Sequence, residues 1–464
     1  MTERATSVQS LGAASGHLTL LTGGSKPFIY ATSFNLAAVG YIGAEYVLAG
    51  SARAYARTRR GVTAAERADY ATRVLIYRPA DDDAFNGTVW VEWLNVSGGI
   101  DVAAAWTSVH TELIRRGAAW VGVSAQRIGV SGGVSVLGMT GPGLADLDPV
   151  RYGTLCHPGD RFSYDIYAQA SAAARSGTGT ILAGLPIERV LAMGESQSAF
   201  RLTTFANDID PITPVHDGFL VSARPAAAAP LDDDGEPAAE LRGAPAGFRT
   251  DLRVPVLCVE SETDLIALGY VAARQDDSRS LATWEIAGTS HADMYTLSAG
   301  PIDSGLLPVD ELARAWAPAS EVMGMRFDQP VNAGPRHYVL NAAVSHLDRW
   351  ARNGTRPPAA QRLQTPAGAL SPDGHGNARG GIRTPHVDVP IAVLSGLGNG
   401  GDPISFLCGS TAPFDAEKLA GLYPSRSEYL KRFEAATAAA VAAGFLLAED
   451  APEITAIAAV NFPC

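Results

Sequence analysis

The sequence predicts an α/β protein built on a mostly parallel sheet flanked by helices. Three observations indicate this fold class. Apolar strand patterns alternate with helical patterns through residues 70–290, which is the element order of a doubly wound sheet. A strand–turn–helix pattern spans residues 190–202. The chain has 464 residues, of which 47% are hydrophobic, so it can bury a large core.

The elements of this fold follow from apolar runs and turn residues along the chain. Strands are predicted at 17–21, 45–48, 72–77, 88–94, 119–125, 188–193, 217–222, 254–259 and 282–287. Helices are predicted at 101–116, 163–175, 338–352, 416–421 and 427–444. Residues 1–16 are polar or small and are expected to fray.

The regular alternation stops after residue 295, which predicts a division of the chain into a core and a cover. The predicted core is 1–295 with 337–352, and it carries loop excursions at 126–160 and 223–249. Residues 296–336 and 353–464 lack strand alternation. We expect these two segments to wrap the sheet and to form a cap.

Composition and charge exclude several classes of partner. The formal net charge of −12 argues against nucleic acid, because binding a polyanion needs a basic surface. No apolar run reaches the roughly 18 residues of a membrane span, and residues 1–6 lack the apolar region of a signal peptide. The cysteines form no metal-ligand pattern, and they are Cys156, Cys258, Cys408 and Cys464. We therefore predict a cytoplasmic protein with reduced thiols, although a Cys408–Cys464 disulfide is left open.

A candidate nucleophile lies in the turn after the strand at 188–193. Gly194-Glu-Ser-Gln-Ser198 has the layout of a nucleophile elbow, in which a sharp turn lifts a serine out of the sheet. The usual pattern is G-x-S-x-G, and here Ser198 replaces the last glycine. Serine is small enough for that position, so Ser196 is the candidate nucleophile. An ordinary strand-to-helix turn is the alternative for this motif taken alone.

A serine hydroxyl needs a base within hydrogen-bond reach, and that base needs an orienting carboxylate. Two later strand ends supply them in chain order. One predicted strand is followed by Glu260-Ser-Glu-Thr-Asp264, and the next by Gly288-Thr-Ser-His291. His291 is therefore the candidate base and Asp264 the candidate acid. Glu262 is the alternative acid, since its longer side chain can reach from two residues earlier.

Other histidines are weaker candidates for the base. His375 and His386 lie in Gly-rich loops and are the remaining alternatives among the nine histidines of the chain. The others precede the elbow, follow no strand end, or lie at or in a predicted helix.

Acyl transfer through a serine also needs N–H donors for the oxyanion of the tetrahedral intermediate, each contributing roughly 3 kcal/mol. One donor is the backbone N–H of the residue after the nucleophile, here Gln197. The second is expected in Asn95-Val-Ser-Gly-Gly99, because paired glycines allow close backbone approach. Val96 is the first choice and Asn95 the second. A simple glycine turn before a helix is the alternative.

These segments resemble the α/β-hydrolase superfamily over roughly residues 70–350. More narrowly, the chain is similar to a bacterial group identified only as α/β-hydrolase-domain proteins. The resemblance lies in Val91–Gly99, Gly122–Gln126, Gly194–Ala199, Glu262–Asp264 and Ala287–Asp293. It implies the α/β-hydrolase fold and a serine hydrolase, most often a carboxylesterase, that needs no cofactor and no metal. Carried onto this sequence, it makes Ser196 the nucleophile, His291 the base and Asp264 the acid.

The predicted function is a carboxylesterase that cleaves a small to medium ester through an acyl-enzyme on Ser196. The alternatives are a lyase or acyltransferase that uses the same three residues, and a catalytically inactive binding protein on the same fold. The partner is expected to be a small-molecule ester, with no nucleic acid and no membrane. Fold does not fix substrate, so the acyl and alcohol parts, the choice of ester over amide or thioester, and the formation of a homo-oligomer are left open.

Overall fold

The computed structural model describes residues 16–59, 61–232 and 243–463. A nine-stranded sheet forms the centre of the fold. Its strands are β1 (His17–Leu20), β2 (Tyr41–Thr58), β3 (Gly61–Pro79), β4 (Thr88–Trp93), β5 (Ala119–Val123), β6 (Arg189–Glu195), β7 (Gly218–Ser222), β8 (Val256–Ser261) and β9 (Leu281–Ile286). Their spatial order is β1-β2-β3-β5-β4-β6-β7-β8-β9.

The sheet changes from antiparallel to parallel at β5. The pairs β1–β2, β2–β3 and β3–β5 are antiparallel. From β5 onward every pair is parallel, through β4, β6, β7 and β8 to β9. The carboxyl ends of these six strands therefore meet at one edge of the sheet, which is where open α/β sheets place their ligands.

Helices cover both faces of the sheet. The long helices are α1 (Ala104–Arg115), α2 (Ser163–Ser176), α3 (Gln197–Thr204), α4 (Val309–Trp316), α5 (Arg336–Asn353), α6 (Arg426–Ala442) and α7 (Ala451–Asn461). Successive strand residues point to opposite faces, so Leu191 and Met193 belong to the core with α1, α5 and the C-terminal helices. Val190 and Ala192 belong to the core with α2 and α3.

Shorter elements lie in the connections between these strands and helices. Three two-stranded pairs are formed by 132–134 with 140–142, 321–322 with 325–326, and 392–395 with 410–413. Short α-helices occupy Arg127–Ser131, Leu144–Leu147, Pro149–Tyr152, Glu262–Ile266, Pro385–Asp388 and Ala416–Leu422. The predicted excursion at 126–160 therefore contains three short helices and a strand pair.

The predicted fold class is confirmed, and the predicted elements of the sheet are found within a few residues of their expected ends. The N-terminal strands differ most. The stretches expected as short strands at 45–48 and 72–77 belong to a hairpin of 18 and 19 residues, β2 and β3. Glycine in this segment favours a turn at the sequence level, but Gly50 of β2 pairs with Tyr70 of β3 inside the hairpin. Helices α4 and α7 were not predicted, and the division into core and cap stays a prediction.

Helix α1 begins three residues later than its predicted start at Asp101, and a carboxylate from the sheet binds its first N–H groups. Glu92, buried in β4, accepts the backbone N–H groups of Ala105 at 2.8 Å and Trp106 at 2.9 Å. The indole N–H of Trp120 also donates to it, at 2.9 Å. Asp101 instead pairs with the buried Arg73 at 2.6 Å. A side chain from a strand thus accepts hydrogen bonds from N–H groups that have no acceptor within the helix.

No helix of the described residues is both long enough and apolar enough to cross a bilayer. Cys156, Cys258 and Cys408 form no disulfide with one another. Cys464, the other half of the pair left open by the sequence, lies outside the described residues.

Glu92 generates a prediction about stability and pH. Burial raises the pKa of its carboxyl from an ordinary 4.5 to about 8. The folded state therefore keeps a proton that the unfolded state releases, and the free energy of unfolding falls as the pH rises across this interval. We expect Glu92→Gln to remove this contribution, so that the Tm of the native protein falls relative to that of the variant as the pH rises.

Thermal unfolding between about pH 5 and about pH 8 measures this effect. The exposed Glu434 offers a matched control, because Glu434→Gln removes a carboxylate that water already solvates. A difference in Tm between native protein and Glu92→Gln that stays constant with pH would contradict the prediction.

Candidate active site

Ser196 lies in a strained turn between β6 and α3. Its backbone has φ 63° and ψ −121°, in a region that non-glycine residues rarely adopt. The turn is fixed from the neighbouring strand, since Ser196 N–H donates to the carbonyl of Ser222 at 2.9 Å. The predicted elbow is therefore present, and it presents the Ser196 side chain at the carboxyl edge of the sheet.

Gly194 and Ser198, two positions before and after Ser196, are small for different structural reasons. A Cβ on Gly194 would lie 2.9 Å from the Leu202 side chain and 3.1 Å from the Ser198 backbone. Ser198 tolerates its own side chain because the hydroxyl turns back into the loop. Its Oγ accepts from Glu195 N–H and donates to the Glu195 carbonyl, both at 2.9 Å. The departure from G-x-S-x-G thus adds hydrogen bonds across the turn.

Three side chains from three loops form one hydrogen-bonded chain. His291 Nε2 lies 2.8 Å from Ser196 Oγ, and His291 Nδ1 lies 2.6 Å from Asp264 Oδ1. A carboxylate accepts hydrogen bonds, so Nδ1 carries the proton in the neutral ring and Nε2 is left to accept from the serine hydroxyl. The structure brings together the predicted nucleophile, base and acid.

Asp264 is fixed by a local helix start. It is fully buried and lies in the first turn of the helix Glu262–Ile266. Its Oδ2 accepts the backbone N–H of Ser261 at 2.6 Å and the Ser261 hydroxyl at 2.7 Å. Its other oxygen is thereby directed to the imidazole. One carboxylate serves as a capping-box partner and as the orienting group.

The alternative acid, Glu262, is directed elsewhere. Its two oxygens accept the backbone N–H groups of Gly288 at 2.6 Å and Gly396 at 2.8 Å. Burial raises the pKa of this carboxyl to about 7. Glu262 therefore joins the loop that carries His291 to a segment of the C-terminal region, and it makes no hydrogen bond to the imidazole.

One of the three predicted oxyanion donors already uses its backbone N–H in another hydrogen bond. Gln197 is the first residue of α3 and lines the cavity beside Ser196, and helix starts favour anions. The Asn95 N–H donates to the Val102 carbonyl at 2.9 Å, so it is already used. The Val96 N–H has no acceptor among the described residues. Of the two loop candidates, Val96 is the one whose N–H is not already used within the described residues.

Sequence reasoning missed a buried ion pair behind the elbow. Arg336, at the start of α5, contacts Glu195 Oε2 at 3.0 Å and donates to the Ser222 hydroxyl at 3.0 Å. Ser108 also donates to that Glu195 oxygen, at 3.1 Å. Asp293 is buried nearby, and burial raises its pKa to about 6 against the opposing effect of Arg336. No local pattern signals this pair, because its members are 141 positions apart (336 − 195).

A cavity of about 860 Å³ opens above Ser196. Its apolar lining comes from segments far apart in the chain, including Leu137, Met139, Ala226, Leu268, Leu297, Met323, Met325, Ile404, Phe406 and Leu407. Residues of the predicted excursions at 126–160 and 223–249 therefore line the cavity, as does part of the C-terminal segment. In the described ranges, no group of three or more His, Cys, Asp or Glu side chains is placed to hold a metal ion.

Two solved structures show a distant likeness to the chain. A thermostable esterase from Pseudomonas putida shows 12% identity and a TM-score of 0.30, over 55% of this chain and 75% of that one. A fungal esterase from Rhizomucor miehei shows 11% identity and a TM-score of 0.32, over 66% of this chain and 84% of that one.

No curated protein matches the chain. The family comparison is more informative, since one family matches nearly the whole chain. The match covers residues 13–456 and therefore includes the elbow, both partner loops and the segments that line the cavity. The chain belongs to the alpha/beta hydrolase domain family.

Proposed function

We propose that this protein is a serine carboxylesterase in which Ser196 is the nucleophile, His291 the general base and Asp264 the orienting acid. The observation that supports it is the continuous chain of hydrogen bonds from Asp264 through His291 to Ser196, at 2.6 and 2.8 Å. This chain ends in an apolar cavity that can hold an organic ester. The hydrolase family of the chain is consistent with this reaction.

Acylation uses each of these groups in turn. Ser196 Oγ attacks the ester carbonyl while His291 Nε2 takes its proton, and Asp264 stabilises the imidazolium that forms. The oxyanion of the tetrahedral intermediate accepts the N–H groups of Gln197 and Val96. Collapse of the intermediate breaks the bond to the alcohol, which takes the proton from Nε2. Water then repeats the sequence on the acyl-enzyme and releases the acid.

Preference for an ester over an amide or thioester is part of this proposal. A cytoplasmic location is part of it as well. A substrate panel tests the first, and fractionation of the producing cells tests the second.

Replacement of Ser196 tests the nucleophile. We expect Ser196→Ala to lower kcat for a short-chain p-nitrophenyl ester by on the order of 10⁴-fold or more, because no other group attacks the carbonyl. A fluorophosphonate probe is expected to label the native protein and to leave the variant unlabelled. Ser427→Ala is a matched control at an exposed serine, and it should retain full activity and labelling.

Three results would contradict the esterase proposal. A folded native protein that neither hydrolyses esters nor reacts with the probe is a binding protein on a hydrolase fold. Product in which the acyl group passes to an added alcohol in preference to water identifies an acyltransferase. Cleavage without uptake of water identifies a lyase.

The two carboxylates of the acid loop can be separated by paired substitutions. We expect Asp264→Asn to lower kcat by about 10⁴-fold, because the neutral amide neither fixes the imidazole proton on Nδ1 nor stabilises the imidazolium. Glu262→Gln should lower kcat less than about tenfold but reduce stability by about 1–3 kcal/mol, since one buried backbone N–H loses its acceptor. Ester hydrolysis and thermal unfolding measure the two effects. The reverse order of the two kcat losses would assign the acid to Glu262.

A further inference from the structure

We propose that the substrate is an uncharged ester with a bulky apolar alcohol part, and that Phe406 is a specificity-determining residue for that alcohol. The inference rests on the proposed esterase function. It goes beyond that function by naming which half of the ester contacts the cap segment, Ile404–Leu407. Four features of the cavity lead to it: its size, its charge, its position beside the base and the exposure of one ring.

The cavity is too large for the smallest esters. Its volume of about 860 Å³ lies near the upper end of the roughly 300–1,000 Å³ that enclose drug-sized ligands. A methyl or ethyl ester would leave most of the apolar lining in contact with water. Substrates that fill this volume gain binding energy from each buried apolar group.

The lining offers no partner for a charged substrate. Among the described lining residues there is no lysine and no arginine, so an anionic group would lose its water without gaining a cation. The one carboxylate in this lining, Glu195, is neutralised by Arg336 at 3.0 Å. A cationic group would therefore also be desolvated without full compensation. The cavity favours a neutral ligand.

The chemistry of the base fixes where the alcohol lies. His291 Nε2 returns its proton to the leaving oxygen, so the alcohol part must lie on the histidine side of Ser196. The cap segment Ile404–Leu407 borders that side, because the N–H of Ala292 donates to the Leu407 carbonyl at 3.0 Å. Ile404, Phe406 and Leu407 all line the cavity. This segment therefore contacts the alcohol rather than the acyl group.

Phe406 is the side chain of this segment that a substrate can cover. Its neighbours Ser405 and Leu407 are 5% and 9% exposed, whereas Phe406 is 43% exposed. The backbone of the turn is fixed, since Cys408 N–H donates to the Ser405 carbonyl at 2.9 Å and the Cys408 carbonyl accepts from Asn332. A large apolar ring is thus presented on a rigid turn at the cavity wall, and burying it against an apolar alcohol is favourable.

Two butyrate esters of the same shape test the charge preference. Choline butyrate and 3,3-dimethylbutyl butyrate differ in the alcohol by a positively charged nitrogen in place of a carbon, and both give the same acyl-enzyme. Because kcat/KM reports the steps through loss of the alcohol, it compares the two alcohols directly. We expect kcat/KM for the neutral ester to exceed that for the choline ester by about a hundredfold, since a charge is costly to desolvate in an apolar cavity.

Truncation of the ring tests the residue. We expect Phe406→Ala to lower kcat/KM for 3,3-dimethylbutyl butyrate by about tenfold and for methyl butyrate by less than about twofold, because only the larger alcohol reaches the ring. Phe28→Ala is the matched control, since Phe28 is similarly exposed, at 39%, and does not line the cavity. It should change neither value. Equal rates of fluorophosphonate labelling would show that both variants keep an intact Ser196.

The outcomes distinguish failure of this inference from failure of the proposed esterase function. Ester hydrolysis with equal kcat/KM for the neutral and choline esters, or a preference for choline, overturns the inference and leaves the esterase intact. An equal loss on both neutral esters in Phe406→Ala also overturns it. Absence of hydrolysis together with an unlabelled Ser196 overturns the proposed function, and the inference with it.

Discussion

The left-handed backbone of Ser196 is the constraint on which the rest of the site depends. A non-glycine residue in such a conformation costs on the order of 1–3 kcal/mol and persists only where its surroundings over-determine it. Here the bond from Ser196 N–H to the carbonyl of Ser222 fixes one side of the turn. The close approach at Gly194 and the two hydrogen bonds of the Ser198 hydroxyl fix the other. The strain is what directs the hydroxyl out of the sheet.

The parallel sheet supplies the partners of that hydroxyl. Strands β6, β8 and β9 end at the same edge, so the loops that follow them converge although they are distant in the chain. Each loop is then fixed by its own hydrogen bonds: Ser261 orients Asp264, and Glu262 fixes the loop of His291 through Gly288. A precise arrangement of this kind needs supporting residues as much as the residues of the proposed reaction. Of the two carboxylates of one loop, Asp264 thus contacts the imidazole and Glu262 binds backbone N–H groups.

A buried ion pair lies behind Ser196 and its partners. Arg336 reaches Glu195 from α5 and also binds Ser222, the residue whose carbonyl fixes the Ser196 backbone. One guanidinium therefore joins a helix of one layer to two neighbouring strand ends. Ion pairs taken out of water contribute little net stability, but loss of one partner leaves an uncompensated charge. This arrangement keeps the floor of the cavity rigid while its walls, built from loops and the C-terminal segment, are apolar.

The sequence by itself determined the α/β class, most sheet strands and the order in which Ser196, Asp264 and His291 follow successive strand ends. These are local signals: apolar periodicity, turn residues and short motifs, each readable within about a dozen positions. Only the tertiary structure decided which of Asp264 and Glu262 contacts the imidazole, because the first turn of one short helix directs the two side chains to different partners. It also decided the Arg336–Glu195 pair, the single long hairpin of β2 and β3, and the meeting of Met139, Met323 and Phe406 around one cavity. Those contacts join residues far apart along the chain, and packing rather than any local pattern selects them.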